Sequence, residues 1–106
     1  MPKYLLKVNY TLDGVRGVLA QGGSARRRAA EAATNSAGGT LESFYFAFGG
    51  TDVYVIADLP DNRAAAAVAM TVTAGGGAAV ETTVLLTTEE IDAASETKVG
   101  YTPPGS

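Results

Sequence analysis

The sequence predicts an α+β fold in which the elements run strand, helix, strand, strand, helix, strand. Four short segments alternate apolar and polar side chains, the pattern of strands that are buried on one face. Two alanine-rich segments with helix caps follow the first and third of these strands, and a glycine-containing turn joins the middle two as a hairpin. This is the ferredoxin-like βαββαβ order, with an extra C-terminal helix, and right-handed crossovers place both main helices on one face of an antiparallel sheet.

The first strand is predicted at residues 3–10, and its fully apolar face consists of Tyr4, Leu6, Val8 and Tyr10. Thr11 is the expected N-cap of a helix that breaks or bends at Gly22-Gly23. Ser24 is then expected to cap a second helical stretch, which Gly38-Gly39 ends.

The next two strands are predicted at residues 40–48 and 53–59, with a turn at Gly49-Gly50-Thr51-Asp52. A helix capped by Asp61 or Asn62 then runs to about Thr73.

The fourth strand is predicted at residues 78–87. Thr87 and Glu90 have the spacing of a capping box, which indicates a short helix to about Lys98. We therefore expect one domain over residues 1–98 and an extended tail over residues 99–106.

The composition excludes several classes of function. The chain has no cysteine, histidine or tryptophan, which rules out zinc and iron–sulfur sites built from those ligands and all catalysis that needs an imidazole. The net charge of −3 argues against nucleic-acid binding. No leader peptide and no apolar membrane span is recognisable, so we expect a cytoplasmic protein that does not bind membranes. We also expect no cofactor.

Two helices cover only one face of a four-stranded sheet, so the other face, here called the open face, needs a partner or solvent. Strand alternation assigns to it Leu5, Lys7, Asn9, Tyr54, Ile56, Asp58, Ala79, Glu81, Thr83 and Leu85. In the second strand both faces carry aromatic side chains. Either Tyr45 or the set Phe44, Phe46 and Phe48 therefore lies on the open face. A face this apolar predicts a two-fold homodimer that pairs sheet to sheet, with a higher oligomer left open.

Polar residues of the open face form the first candidate site, which consists of Lys7, Asn9, Tyr54, Asp58 and Glu81. In a partly enclosed space a lysine or carboxylate of this set would act as acid or base. Alternatively, these groups pair with one another or with the partner subunit and only satisfy the interface.

The second candidate site is Gly22-Gly23-Ser24 with Arg26, Arg27 and Arg28. Arginines in a first helical turn oppose the helix dipole, and a bound phosphate or carboxylate would compensate them. The alternative is a solvated cluster paired with Glu31 or with another subunit.

Two acidic features also have alternative interpretations. Asp52 is either a polar group at the mouth of a cleft or a turn aspartate that bonds the backbone. The cluster of Glu89, Glu90 and Asp92 is interpreted as dipole complementation rather than as a metal site, so no metal is expected.

Four segments of the chain resemble the GYD-domain family, namely PKYLLKVNYT, GGSARR, LESFYFAFGGTDVYVIADLPDN and VLLTTEEIDAA…YTPPG. These are small bacterial proteins named for a Gly-Tyr-Asp triplet in the hairpin, which here reads Gly50-Thr51-Asp52 with threonine replacing the tyrosine. The resemblance is most specific from Leu41 to Asn62. It implies a ferredoxin-like fold of the dimeric α/β-barrel kind and no particular activity.

Two main functions remain open, besides a third interpretation as an assembly factor that forms larger oligomers through the C-terminal tail. The first is a homo-oligomeric binding or structural module whose inter-sheet or helix–sheet cleft holds a small molecule, contacted by Asn9, Tyr45, Glu81, Ser24, Arg26 and Arg27. The second is a small cofactor-independent enzyme, oxygenase-like or isomerase-like, that acts on a hydrophobic metabolite. Its candidate catalytic residues are Lys7, Asp52, Tyr54 and Asp58.

Overall fold

The computed structural model describes residues 1–105 and has four strands and four helices in that range. In chain order these are β1 Lys3–Tyr10, α1 Leu12–Gln21, α2 Gly23–Ser36, β2 Thr40–Phe46, β3 Val53–Asp58, α3 Asn62–Ala74, β4 Ala78–Leu85 and α4 Thr88–Glu96. The strands form one sheet in the order β2-β3-β1-β4, with every neighbouring pair antiparallel. The predicted α+β class and its ferredoxin-like arrangement are confirmed.

Three of the expected helix caps are confirmed, because each side chain accepts a hydrogen bond from a backbone amide in the first turn. These caps are Thr11, Asp61 and Thr87. Thr87 and Glu90 form the predicted capping box.

The prediction that Ser24 caps the second helical stretch is wrong. The break between α1 and α2 is a single residue, Gly22, whose φ of 83° suits a residue without a Cβ. The helix resumes at Gly23, so Ser24 lies inside the first turn and makes no capping hydrogen bond.

The ambiguity of β2 is resolved by a bulge. The register between β2 and β3 shifts between Leu41 and Ser43. As a result Leu41 and Phe44 lie on the same side of the sheet, the helix side, and Tyr45 lies on the open face. β2 ends at Phe46 instead of residue 48, and Phe48 has a left-handed φ of 54° beyond the strand end.

The core lies between the sheet and the two main helices, α2 and α3. Its buried members include Tyr4 and Leu6 from β1 and Val53, Val55 and Ala57 from β3. The predicted apolar face of β1 is therefore the helix side of the sheet. Tyr4 is 1% exposed, and its hydroxyl donates to Oδ1 of Asn62 at 2.7 Å, which ties β1 to the start of α3.

The C-terminal segment, here called the arm (residues 86–105), projects from this body. Every residue of the arm is exposed, including Ile91 of α4 and Tyr101. The radius of gyration is 16.9 Å and the longest dimension 58 Å, whereas a compact domain of this length has a radius near 13 Å. Ser106, the last residue of the predicted tail, lies outside the described residues.

The helices found within residues 1–105 are all too short or too polar to cross a bilayer.

Candidate functional site

A cavity of about 330 Å³ lies between the sheet and the two main helices. Helix α2 packs against the edge strand β2 and α3 packs against the opposite edge strand β4, so the helices straddle the two central strands. The residues that α2 turns toward the cavity include Ala29, Ala30 and Ala33, whose side chains are too short to fill this gap. The alanine content of the helices thus leaves room that longer side chains would occupy.

The floor and walls of the cavity are apolar. Strands β1, β2, β3 and β4 all contribute, and α3 closes the other side; the larger apolar side chains are Leu6, Val8, Phe44, Val53, Val55, Val68, Val72 and Val80. Thr34 also lines it, but its hydroxyl donates to the carbonyl oxygen of Ala30 in its own helix at 2.7 Å. This part of the cavity therefore suits an apolar group.

The two titratable side chains of the lining lie at one end of the cavity. Tyr10 is the last residue of β1, Arg26 lies in the first turns of α2, and Gly75 follows the end of α3. Burial raises the pKa of the Tyr10 phenol; the Arg26 charge opposes this rise and the Asp52 carboxylate adds to it. Arg26 and Asp52 thus both lie close enough to the Tyr10 phenol for their charges to act on it.

Arg26 is incompletely satisfied at this end. Its Nη2 donates to Oε1 of Gln21 at 3.3 Å. Its Nε is buried, and across residues 1–105 it is the single buried side-chain nitrogen or oxygen without a hydrogen-bond partner. Buried polar atoms are nearly always bonded in native proteins, so this atom marks a place for an acceptor.

The open face carries the other polar candidates in two cross-strand rows. One row runs Tyr45, Tyr54, Lys7 and Glu81, and Nζ of Lys7 lies 3.9 Å from the Glu81 carboxylate. The next row runs Ser43, Ile56, Leu5 and Thr83. Lys7, Tyr54 and Glu81 therefore lie together, but on the opposite side of the sheet from the cavity.

Asp58 lies on the open face near the beginning of β1. Nζ of Lys3 contacts the carboxylates of Glu42 at 2.6 Å and Asp58 at 3.0 Å. The hydrogen bond that Lys3 donates to Glu42, followed by the one it donates to Asp58, raises the pKa of Lys3. The structure thus separates Asp58 from Lys7 and gives it a different cationic neighbour.

Asp52 and Asn9 join the hairpin loop to β1. Oδ2 of Asp52 accepts a hydrogen bond from the amide of Tyr10 at 2.8 Å, and Oδ1 of Asn9 accepts one from the amide of Asp52 at 3.0 Å. The neighbouring Thr51 is 8% exposed. These contacts extend the pairing of β1 and β3 by side chains beyond the last strand pair, Val8 and Val53.

Ser24 and Arg27 are exposed at the start of α2 and do not line the cavity. Within the described chain Arg27 forms no ion pair. Of the predicted arginine cluster, Arg26 alone turns toward the cavity.

Sequence reasoning missed most of the cavity, because it treated Tyr10 and the apolar residues of α3 only as core. The signal was present in the alanine runs, since a helix that faces a sheet with alanines cannot fill the space between them.

The comparisons with known proteins bear on this architecture. Neither the search of curated proteins nor the search of solved structures found a match. The family model named GYD domain matches residues 4–95, a range that contains β1 except its first residue, the other three strands, the hairpin with Asp52 and the helices α1, α2 and α3. The chain therefore belongs to the GYD-domain family.

Proposed function

We propose that the protein is a homodimeric module that binds a small molecule in the cavity between the sheet and the main helices. The observation that carries this proposal is the cavity of about 330 Å³ with an apolar body and a polar end at Arg26. Ligand sites have this character, since they are concave, mostly apolar and furnished with a few polar groups that orient the ligand.

The lining favours binding over catalysis. Among the described residues that form the cavity there is no carboxylate and no lysine. Its ionisable side chains are Tyr10, whose pKa is raised by burial, and Arg26. Of the four residues predicted as catalytic, Lys7, Tyr54 and Asp58 lie on the open face instead. The fourth, Asp52, accepts a hydrogen bond from the backbone amide of Tyr10.

The open face supports the homodimeric part of the proposal. Tyr45 is 72% exposed and Tyr54 41% exposed, and they are direct cross-strand neighbours next to the apolar pair of Leu5 and Ile56. Ion pairs of Lys3 and Lys7 with carboxylates flank this apolar centre, and a polar rim around an apolar centre is typical of protein interfaces. A second copy of this chain is therefore the occupant that we propose for the open face.

The arm is consistent with the same partner. Its large apolar side chains are between 51% and 79% exposed, so they are not buried against the rest of the described chain; they are Leu86, Ile91, Val99 and Tyr101. An arm that projects from the end of β4 is positioned to contact a neighbouring subunit. Contact with a second copy would remove these side chains from water.

Filling the cavity tests the binding proposal. Ala33 lines the cavity, whereas Ala32, next to it in α2, is exposed. Ligands from a library of small apolar and amphipathic metabolites are expected to raise the melting temperature of the wild-type protein and of the Ala32→Leu control. The same ligands are expected to leave Ala33→Leu unshifted, because leucine occupies their space. An equal shift in both variants would place the ligand elsewhere.

A charge on the open face tests the dimer. Tyr45→Asp is expected to weaken self-association by about 30-fold or more, the effect of losing an aromatic anchor. Met70, which is 70% exposed on α3, provides a control of matched exposure, and Met70→Asp is expected to leave the dimer intact. Sedimentation equilibrium gives both constants. A wild-type chain that is monomeric at high micromolar concentration would exclude the dimer.

A further inference from the structure

We infer that the ligand of this cavity is an amphipathic anion, with its apolar body between sheet and helices and a single anionic head at Arg26. This inference rests on the proposed function and narrows it to a chemical class. Carboxylates such as a medium-chain fatty acid or an aromatic acid have this chemistry.

The first argument is the hydrogen-bonding state of Arg26. Gln21 satisfies Nη2, but the buried Nε N–H has no acceptor among residues 1–105. The guanidinium presents its N–H groups as a fork that matches the two oxygens of a carboxylate. A head group at the Arg26 guanidinium would therefore meet a side chain whose donors the fold does not fully use.

The second argument is charge. No carboxylate lines the cavity, and Arg26 is in no ion pair within the described chain. Asp52, whose charge acts on the Tyr10 phenol, already accepts the hydrogen bond from the amide of Tyr10. Arg26 also lies near the positive end of the α2 dipole. The polar end of the cavity thus contains a guanidinium without an ion-pair partner among the described residues, which favours an anion over a neutral acceptor.

The third argument is the separation of polar and apolar lining. Tyr10 and Arg26 lie at the end of the sheet where β1 finishes and α2 begins. Leu6, Val55 and Val68 continue the lining away from that end. A volume of about 330 Å³ corresponds to roughly eleven groups of the size of a water molecule. A ligand with about that number of non-hydrogen atoms and one charged end matches both the size and the polarity.

The test compares acids with neutral alcohols of the same skeleton. The probes are octanoate against 1-octanol, and 2-naphthoate against 2-naphthalenemethanol, measured by isothermal titration calorimetry at neutral pH. A charge-assisted hydrogen bond contributes enough for each acid to bind about 10- to 100-fold more tightly than its alcohol. Arg26→Gln is expected to remove this preference while the alcohols bind as before.

Two further variants make the result specific. Arg27→Gln changes an exposed neighbour by the same substitution and is expected to keep the preference for acids. Arg26→Lys keeps a charge without the fork and is expected to retain only part of the preference. A thermal unfolding curve for each variant shows whether it remains folded.

The outcomes separate this inference from the proposed function. Equal affinity of acids and alcohols for the wild-type protein would overturn the anion inference. The binding function would still stand if both classes of ligand fail to bind Ala33→Leu, because that result places them in the cavity. A preference for acids that survives Arg26→Gln would also overturn it. Failure of every acid and every alcohol to bind would contradict both.

Discussion

The carboxylate of Asp52 accepts a hydrogen bond from the backbone amide of Tyr10 across the end of the sheet, with 2.8 Å between Oδ2 and the amide nitrogen. Tyr10 lies past the last paired residue of β1 on the β3 side, so this amide has no strand partner there. The loop aspartate supplies the missing acceptor, and it thereby fixes the end of β1 that carries the cavity's polar lining.

This contact predicts that Asp52 is important for stability. Asp52→Ala leaves the Tyr10 amide without its acceptor, and we expect the free energy of unfolding to fall by about 2 kcal/mol. Asp13→Ala is the control, because Asp13 and its ion-pair partner Arg16, 3.9 Å away, are both exposed. Its effect is expected to stay within about 0.5 kcal/mol. Urea denaturation measures both. A stable Asp52→Ala protein that no longer binds ligand would instead make Asp52 a ligand contact.

Two glycines of α1 are expected to respond in opposite directions to alanine. A Cβ on Gly14 would collide with the carbonyl oxygen of Gly77, in the loop before β4. Gly14→Ala is therefore expected to destabilise the protein by about 1–3 kcal/mol. Gly17 has no neighbour within 4 Å of its Cβ position, so Gly17→Ala is expected to stabilise by about 0.5–1 kcal/mol through helix propensity. Melting temperatures of equal value in the two variants would show that α1 does not approach Gly77.

Stability is expected to fall in alkaline solution. Burial raises the pKa of Tyr10 above 10.0, and hydrogen bonds to Glu42 and then Asp58 raise that of Lys3 above 10.5. Both groups hold their proton more tightly in the folded state. Their contribution is therefore complete below the ordinary pKa values and is lost as the pH rises through the raised ones. The melting temperature should be level from neutral pH to about pH 10 and decline above it.

Tyr10→Phe isolates the tyrosine part of this effect, because phenylalanine cannot ionise. The alkaline decline is expected to be smaller in Tyr10→Phe than in wild-type protein. Tyr101→Phe serves as the control, since Tyr101 is 74% exposed in the arm, and its decline should equal that of the wild type. The same decline in all three proteins would mean that Tyr10 ionises as freely in the folded state as in the unfolded one.

Removing the arm is expected to weaken self-association and to leave the stability of the remaining domain nearly unchanged. A chain that stops after Leu85 retains all four strands and both main helices, and the segment it loses has no buried residue. We expect the unfolding curve of the monomeric body to shift by no more than a few degrees. Self-association, measured by sedimentation equilibrium, should weaken. A truncated chain that fails to fold would show that the arm packs on its own body.

Local signals in the sequence were sufficient for the elements and several of their ends. Thr11, Asp61 and Thr87 form the predicted caps because capping depends on a side chain and an amide only a few residues away. The glycine break between the first two helices was also predicted, although Gly22 rather than Ser24 occupies the N-cap position, without a side-chain hydrogen bond.

The sequence by itself determined which residues of β1 and β3 face the helices, because alternation in a regular strand is a local property. Only the tertiary structure decided the face of Tyr45, since the bulge between Leu41 and Ser43 reverses the alternation through pairing with a second strand. It also decided that Arg26 borders a cavity while Arg27 faces solvent. The cavity arises from the separation of α2 and α3 over the sheet, a distance set by contacts between residues far apart in the chain.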